Sequence, residues 1–467
     1  MQKSTSVRAP VVAGSFYPGD EKSLSRDIGR FLSSEPSLGL RGVHAILVPH
    51  AGYMYSGQVA AASYREIGKS FKRVFIMAGN HNGDANFNGI SLPQESFFSI
   101  PGAEISVSKI VGDLEKKEYF VKEPLAHINH TIEVQLPFLN HIKGSPKHPD
   151  FEIIPMVTGY LTEKQIASIT ETLSAYVDND TLFIFSADLS HYHRDDEAKK
   201  LDAYSLDALM GRNLRQMLDA ETCGSHALAI MLSLAKKHGW EPTLIKHLTS
   251  GDVSGDRSRV VGYGSVAFHE KLSLIHDEKK QLLEIARTTI EEFVREKKRF
   301  KTAKSSLDKL PILRIPRGAF VTLKKKGDLR GCIGDLKPDG ALFLTVEENA
   351  ISAASRDPRF SPVTPDELKD IEVSISILDY PELVTVSDPS EYPKVLKPNV
   401  DGVIIQYNGR QSTYLPQVWE QLPEPKQFLS SLCQKQGSPS DCWQNKNTIL
   451  YKYSGFEFGE KEFDRKK

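Results

Sequence analysis

Apolar positions in the first half of the chain fall into short aliphatic runs, each closed by turn-forming residues. AILVP stops at His50 in PHAGYMYSG, and VFIMAG stops at His81 in AGNHNG. TLFIFSA stops at Asp188 and His191 in SADLSHY. Runs this short, bounded by Gly, Pro, Asn and Asp, read as buried strands of a parallel sheet. Helix-like stretches such as SGQVAAASYREIG and AKKLDAYSLDALM alternate with them, which predicts βα units and a mostly parallel sheet covered by helices. CGSHALAIMLSLAKKHGW reads as a helix with Thr222 or Ser225 as its cap and Lys236, Lys237 and Gly239 at its end. A closing strand, RVVGYGSVAFHE, follows a loop rich in Gly, Ser and Asp.

The pattern changes near Lys271. KLSLIHDE, over 271–278, reads as a linker between a first domain over 7–270 and a second over 279–465. An amphipathic helix then begins in KKQLLEIARTTIEEFVREKK, with Leu282, Ile285, Ala286 and Ile290 on one face. Strand-like runs GAFVTLKKK, VSISILDY and GVIIQYNG follow, with a helix around LFLTVEENAISAASRD. Strands without regular helical alternation predict an α+β fold. The expected fold class is therefore α/β for the first domain and α+β for the second.

Composition narrows the function classes. The chain has 467 residues, enough for two cores. Its 59 basic residues nearly cancel 60 acidic ones, so no electrostatic signal for DNA or other nucleic acid stands out. No apolar stretch approaches the ~20 residues a membrane span needs, and the N-terminus lacks a signal-peptide core. Four cysteines are too few for a disulfide framework, which points to a reducing compartment and a cytoplasmic protein.

Candidate chemistry gathers at the ends of the apolar runs. Ligands of open α/β sheets sit at the carboxyl ends of the strands, so three strands would deliver His50, His81 and the Asp188/His191 pair to one rim. Pro49 fixes the chain before His50, and Gly52 lets it turn into a helix toward Tyr53. Read alone, His50 and His81 are each either a ligand or a capping histidine. Asp188 could orient an imidazole or act as acid or base, with Ser190 as cap of the next helix. His193 reads as surface. Cys223 opens a helix whose dipole favours thiolate, and His226 would share its face. His127, His130 and Glu133 have the spacing that puts side chains on one helix face. His, His and Cys suit iron, copper or zinc. Dinucleotide, phosphate-loop, HExxH and paired CxxC motifs are absent.

AGSFYPGD, PHAGYMYSG, GNHNG, HTIEVQLPF, SADLSHY and CGSHALAI, taken in order, resemble the Memo family, which is similar to LigB-type class III extradiol dioxygenases. The resemblance implies a metal held by two histidines and a cysteine, here His50, His81 and Cys223. It places Asp188 and His191 in the same pocket as catalytic candidates, with Tyr53, His130, Glu133 and His226 as lining. LigB-type enzymes use a carboxylate as third ligand; a cysteine there departs from that pattern. LRGCIGD, AISAASRDPRFSPVTPDEL, IEVSISIL, DGVIIQYNGRQSTYLPQV and DCW resemble the AMMECR family. Both kinds of protein occur with a radical SAM protein in the AmmeMemoRadiSam system, and this chain resembles a fusion of two of its components. No CxxxCxxC motif of the third is present.

In the second domain, Cys332 lies between glycines and reads as a tight turn: either a thiol or substrate contact with Arg330 binding an anionic group, or a small residue where nothing larger fits. Arg356, Asp357 and Arg359 read as an ion cluster, and Cys433 and Cys442 as core residues. The expectation is a metal-dependent redox protein, a dioxygenase-like enzyme or enzyme component. Iron or copper comes first and zinc next, with a radical SAM partner and an unknown small-molecule, RNA or protein substrate. The alternatives are a peptide- or metal-binding scaffold, and metal-free nucleophilic catalysis by Cys223 with His191 as base.

Overall fold

The computed structural model describes residues 6–68, 70–337 and 340–463. The chain divides into two compact units, Met1–Leu272 and Ser273–Lys467.

The first unit is built on a twelve-stranded mixed sheet. Its centre contains β1 (Val43–Val48), β2 (Arg73–Gly79), β3 (Glu152–Thr158) and β4 (Thr181–Ser186), all parallel, in the spatial order β3-β2-β4-β1. A long strand, β5 (Val260–His269), runs antiparallel to β1 and leads to the strands that follow it in the sheet. Both faces of the central strands are covered. Ile46, Val48, Val74 and Ile76 pack with Tyr53, Tyr64 and Phe138 in one core cluster. On the same strands, alternating with these residues, Ala45, Leu47, Phe75 and Met77 are equally buried. Burial on both faces is why the sequence runs are continuously apolar rather than alternating.

Helix α1 (Tyr53–Tyr64) follows β1 and packs on it, and α2 (Ser225–His238) packs on β2 and β4. The latter ends as its sequence predicts, with Gly239 left-handed at φ 70°. Its start differs: Gly224 occupies the cap position without a side-chain bond, while Thr222 Oγ1 donates to the Asp188 carbonyl at 2.6 Å. Ser190 is likewise no cap. It is buried, its backbone N–H donates to Asp202, and the next helix starts at Asp195 behind Arg194.

The second unit opens with α3 (His276–Glu296). One four-stranded antiparallel sheet holds β6 (Ala319–Lys325), β7 (Asp328–Asp335), β8 (Ile371–Leu378) and β9 (Gly455–Gly459), in the order β7-β6-β8-β9. Ala319, Val321, Leu323, Val373 and Ile375 occupy alternate positions of their strands and are buried; α3 and the helix Leu342–Ser355 pack against this sheet. A second antiparallel sheet orders Glu382–Leu383, Ile449–Tyr453, Gly402–Tyr407 and Arg410–Tyr414.

One cysteine expectation holds and one is corrected here. Cys433 and Cys442 are buried in the second sheet's core, as expected, and are in addition joined in a disulfide. They lie nine positions apart in the sequence, and the turn after the helix Pro425–Lys435 brings them together. Cys332 lies not in a turn but mid-strand in β7, opposite Thr322 of β6.

Candidate metal centre

Because β4 lies between β1 and β2, the segments leaving the three strands emerge side by side at one rim. His50 follows β1, His81 follows β2, and Asp188 follows β4. Cys223 reaches the same rim from the loop before α2. Two glycines make that approach fit. A Cβ on Gly79, at the end of β2, would stand 2.0 Å from the Cys223 carbonyl oxygen. A Cβ on Gly224 would stand 2.8 Å from that of Ala187. The sheet end and the helix entry touch backbone to backbone.

His50 Nε2 lies 3.2 Å from His81 Nε2 and 3.4 Å from Cys223 Sγ. The three donor atoms lie within 4.8 Å of one another. Nitrogen and sulfur donors bound to one ion at about 2.0–2.3 Å stand roughly 3–3.6 Å apart, and both separations from His50 Nε2 fall in that range.

The proton positions strengthen the fit. Ser186 Oγ has one hydrogen and gives it to the Thr131 carbonyl at 2.6 Å. It accepts from Gln135 Nε2 at 2.9 Å, so the remaining contact, His50 Nδ1 at 3.1 Å, must be a donation from the imidazole. His81 Nδ1 faces the Gly79 carbonyl at 3.1 Å, which can only accept. Both rings are therefore protonated at Nδ1, and both Nε2 lone pairs face each other. Facing lone pairs repel unless a cation lies between them.

Burial holds this cluster uncharged. It pushes His50 well below the usual histidine range, helped by the neighbouring imidazoles of His81, His130 and His191. His81 is lowered by the same desolvation, and His130 falls to about 4. The Cys223 thiol is pushed up by burial and by the Asp188 carboxylate, although the Asp188 N–H bonds its sulfur at 3.1 Å. Burial thus favours the neutral thiol, against the thiolate expected from sequence. Asp188 is fully enclosed and raised to about 7, despite accepting from the backbone N–H groups of His50, at 2.9 Å, and Ala51. Its other oxygen lies 3.9 Å from His50 Nε2.

The remaining candidates separate. His130 stands edge-on to both ligand rings, with centroids 5.5 and 6.0 Å away. His191 is close enough to lower His50 and is itself lowered by burial and by His81, and its backbone N–H donates to Glu221 at 3.0 Å. His226 stacks edge-on against Tyr160 at 5.2 Å, and His193 is bound to Glu221. Tyr53 and Glu133 are turned into the protein. Tyr53 donates to the Val134 carbonyl at 2.6 Å within the core. Glu133 is fully buried, accepting from Arg8, Tyr17 and the N–H groups of Val11 and Val12. Nor do His127, His130 and Glu133 share one helix: His127 ends a short 3-10 turn and Glu133 begins another. Arg330 meets an anion, but an internal one, gripping Glu367 through two nitrogens at 3.0 and 3.1 Å. Arg359 pairs with Asp357, whereas Arg356 turns to Glu348.

Sequence reasoning missed Ser186, Gln135 and Thr131, which fix the His50 ring. The one available signal is a lone serine at the end of an otherwise apolar strand.

An α/β domain with a His, His and Cys cluster at the carboxyl rim of its parallel strands, joined to an α+β domain, defines the class. The family of Memo-like proteins matches residues 8–267, and the AMMECR1 family matches residues 283–458. The chain belongs to the Memo family and carries an AMMECR1 domain fused behind it. A MEMO1 family protein of Sulfurisphaera tokodaii is 32% identical over 56% of this chain and 99% of its own length. One from Sulfolobus acidocaldarius is 34% identical with the same coverage. A protein of Methanothermobacter thermautotrophicus is 42% identical over 40% of this chain and 96% of its own.

Proposed function

We propose that the first domain binds a transition metal, iron or copper before zinc, through His50, His81 and Cys223, and serves as a redox component. The observation that carries this reading is the pair of facing Nε2 lone pairs beside a cysteine sulfur. A bound iron or copper would supply one-electron chemistry and polarise a substrate oxygen. The chain's own residues do the rest. Ser186 and the Gly79 carbonyl hold the imidazoles in the ligating tautomer. Asp188 keeps a proton until about pH 7, placed to exchange it with a group held near His50. His130 and His191 add neutral imidazoles around that space. Cooperation with a radical SAM protein on a small-molecule, RNA or protein substrate rests on the family resemblance.

Metal analysis of protein purified without an affinity tag tests the reading. Near-stoichiometric iron or copper in the natural chain, lost in His50→Ala, is expected. Equal metal content in both would overturn it. Oxygen consumption in the presence of a radical SAM partner then separates a redox component from a binding scaffold.

A further inference from the structure

The second domain holds a small cavity that the metal centre does not explain. Its volume is about 190 Å³, and one wall is a face of the sheet at β8 and β9. Ser376 of β8 is the cross-strand neighbour of Glu457 on β9, and Leu378 that of Gly455, so all four positions share that face. The facing wall is the segment after Tyr414, with Leu415 leading into the short 3-10 turn Pro416–Glu420. Ser376 and Leu378 are buried at the floor, while Glu457 and Glu420 stand at the exposed rim.

Two features define what fits there. Ser376 is 6% exposed and lines the cavity, yet its hydroxyl bonds no other group among the described residues. A buried hydroxyl without a partner costs free energy, so a molecule that bonds it is favoured. Beside it, Glu457 accepts from Ser374 Oγ at 2.8 Å through one oxygen and from Gln417 Nε2 at 2.9 Å through the other. Both donors are neutral: they fix the carboxylate, leave its charge uncompensated and leave each oxygen a further lone pair. Neither Glu457 nor Glu420 meets a lysine or arginine among the described residues. A hard divalent cation takes about 6–8 oxygen ligands, whereas Leu378, Leu415 and Pro416 make much of this wall hydrocarbon. An alkylammonium matches both halves, because it joins three N–H donors to an apolar body. We propose that this cavity binds a small organic ammonium ion, its nitrogen donating to Glu457 and Ser376 and its hydrocarbon part lying against Leu378, Leu415 and Pro416.

Saturation-transfer NMR on the full chain tests this at about pH 7, where alkylamines are protonated. The probe is n-butylamine, with 1-butanol as its neutral counterpart and butyrate as its anionic one. Butylammonium should bind saturably with millimolar affinity, at least roughly fivefold tighter than butanol, and butyrate should give no signal. Glu457→Gln should bring butylammonium to the level of butanol, and Ser376→Ala should weaken it as well. The thermal midpoint checks that each variant folds, and Glu457 is exposed enough for its amide to be tolerated. An absence of saturable binding, equal affinities for butylammonium and butanol, or an affinity unchanged in either variant would overturn the proposal. Displacement of butylammonium by calcium chloride, but not by sodium chloride of equal ionic strength, would overturn it in favour of an inorganic cation. Metal binding at His50 is untouched by any of these outcomes.

Discussion

Ser186 holds His50 in its ligating form: the hydroxyl spends its only hydrogen on the Thr131 carbonyl and must accept from the imidazole Nδ1. The lone pair at Nε2 is thereby aimed at His81 and Cys223 before any ion arrives. Partners of this kind typically alter metal affinity by about 10–100-fold. Ser186→Ala should therefore weaken metal binding by about that factor while leaving the fold intact. A chelator competition titration measures it, and an unchanged affinity would contradict the tautomer assignment.

Cys223 is predicted to be the softest of the three donors and the one that binds with loss of a proton. Burial and Asp188 favour the neutral thiol, so metal uptake should release a proton and strengthen as pH rises. In Cys223→Ser this pH dependence should flatten and copper affinity should fall. Isothermal titration in buffers of different ionisation enthalpy counts the protons.

Gly79→Ala should perturb the site without touching a donor atom. The added methyl would meet the Cys223 carbonyl at 2.0 Å, a backbone atom that can yield only by moving the entry to α2. Overpacking of this sort costs about 1–3 kcal/mol. The thermal midpoint and metal stoichiometry should both drop, and a variant matching the natural chain in both would refute the close-contact argument.

Acid should destabilise the first domain through His127. The ring donates from Nε2 to Ser91 at 3.1 Å, while its buried Nδ1 has no partner among the described residues. Desolvation lowers it from 6.5 to about 4. A depressed histidine contributes stability that is complete above its unfolded value and lost as pH falls through the folded one. The window is thus about 6.5 to 4, worth up to about 3 kcal/mol, and His130 acts in the same direction. Urea midpoints across that range should fall, and His127→Gln should flatten the slope.

Glu133 is predicted to be structural. It is fully buried against Arg8 at 2.8 Å, and breaking a buried pair from one side costs roughly 3–5 kcal/mol. Glu133→Gln should lower the denaturation midpoint accordingly. Retention of full stability would return Glu133 to the list of pocket residues.

Much of this architecture could be read before any coordinates. The apolar runs ending at His50, His81 and Asp188 are strands because both of their faces are buried, and a buried strand cannot hide that in its composition. Their parallel arrangement follows from the helices between them. The boundary expected near Lys271 rests on periodicity and composition changing together there. Local chemistry misled where a residue's neighbours in space differ from its neighbours in the chain. Glu133 looked like pocket lining beside His130, yet it turns inward because Arg8 and two backbone N–H groups, more than a hundred residues away, meet it there. Cys223 reads in sequence as a thiolate at a helix entry, whereas burial and Asp188 push its thiol up.

Short-range periodicity set which segments became strands and helices, because that depends on which faces must leave water. Strand order did not lie in the pattern. That β4 runs between β1 and β2, with Ser186 placed to orient His50, follows from packing among segments distant in the chain. Cys433 and Cys442 meet for the same reason: a turn brings them together, and bond formation depends on separation in space.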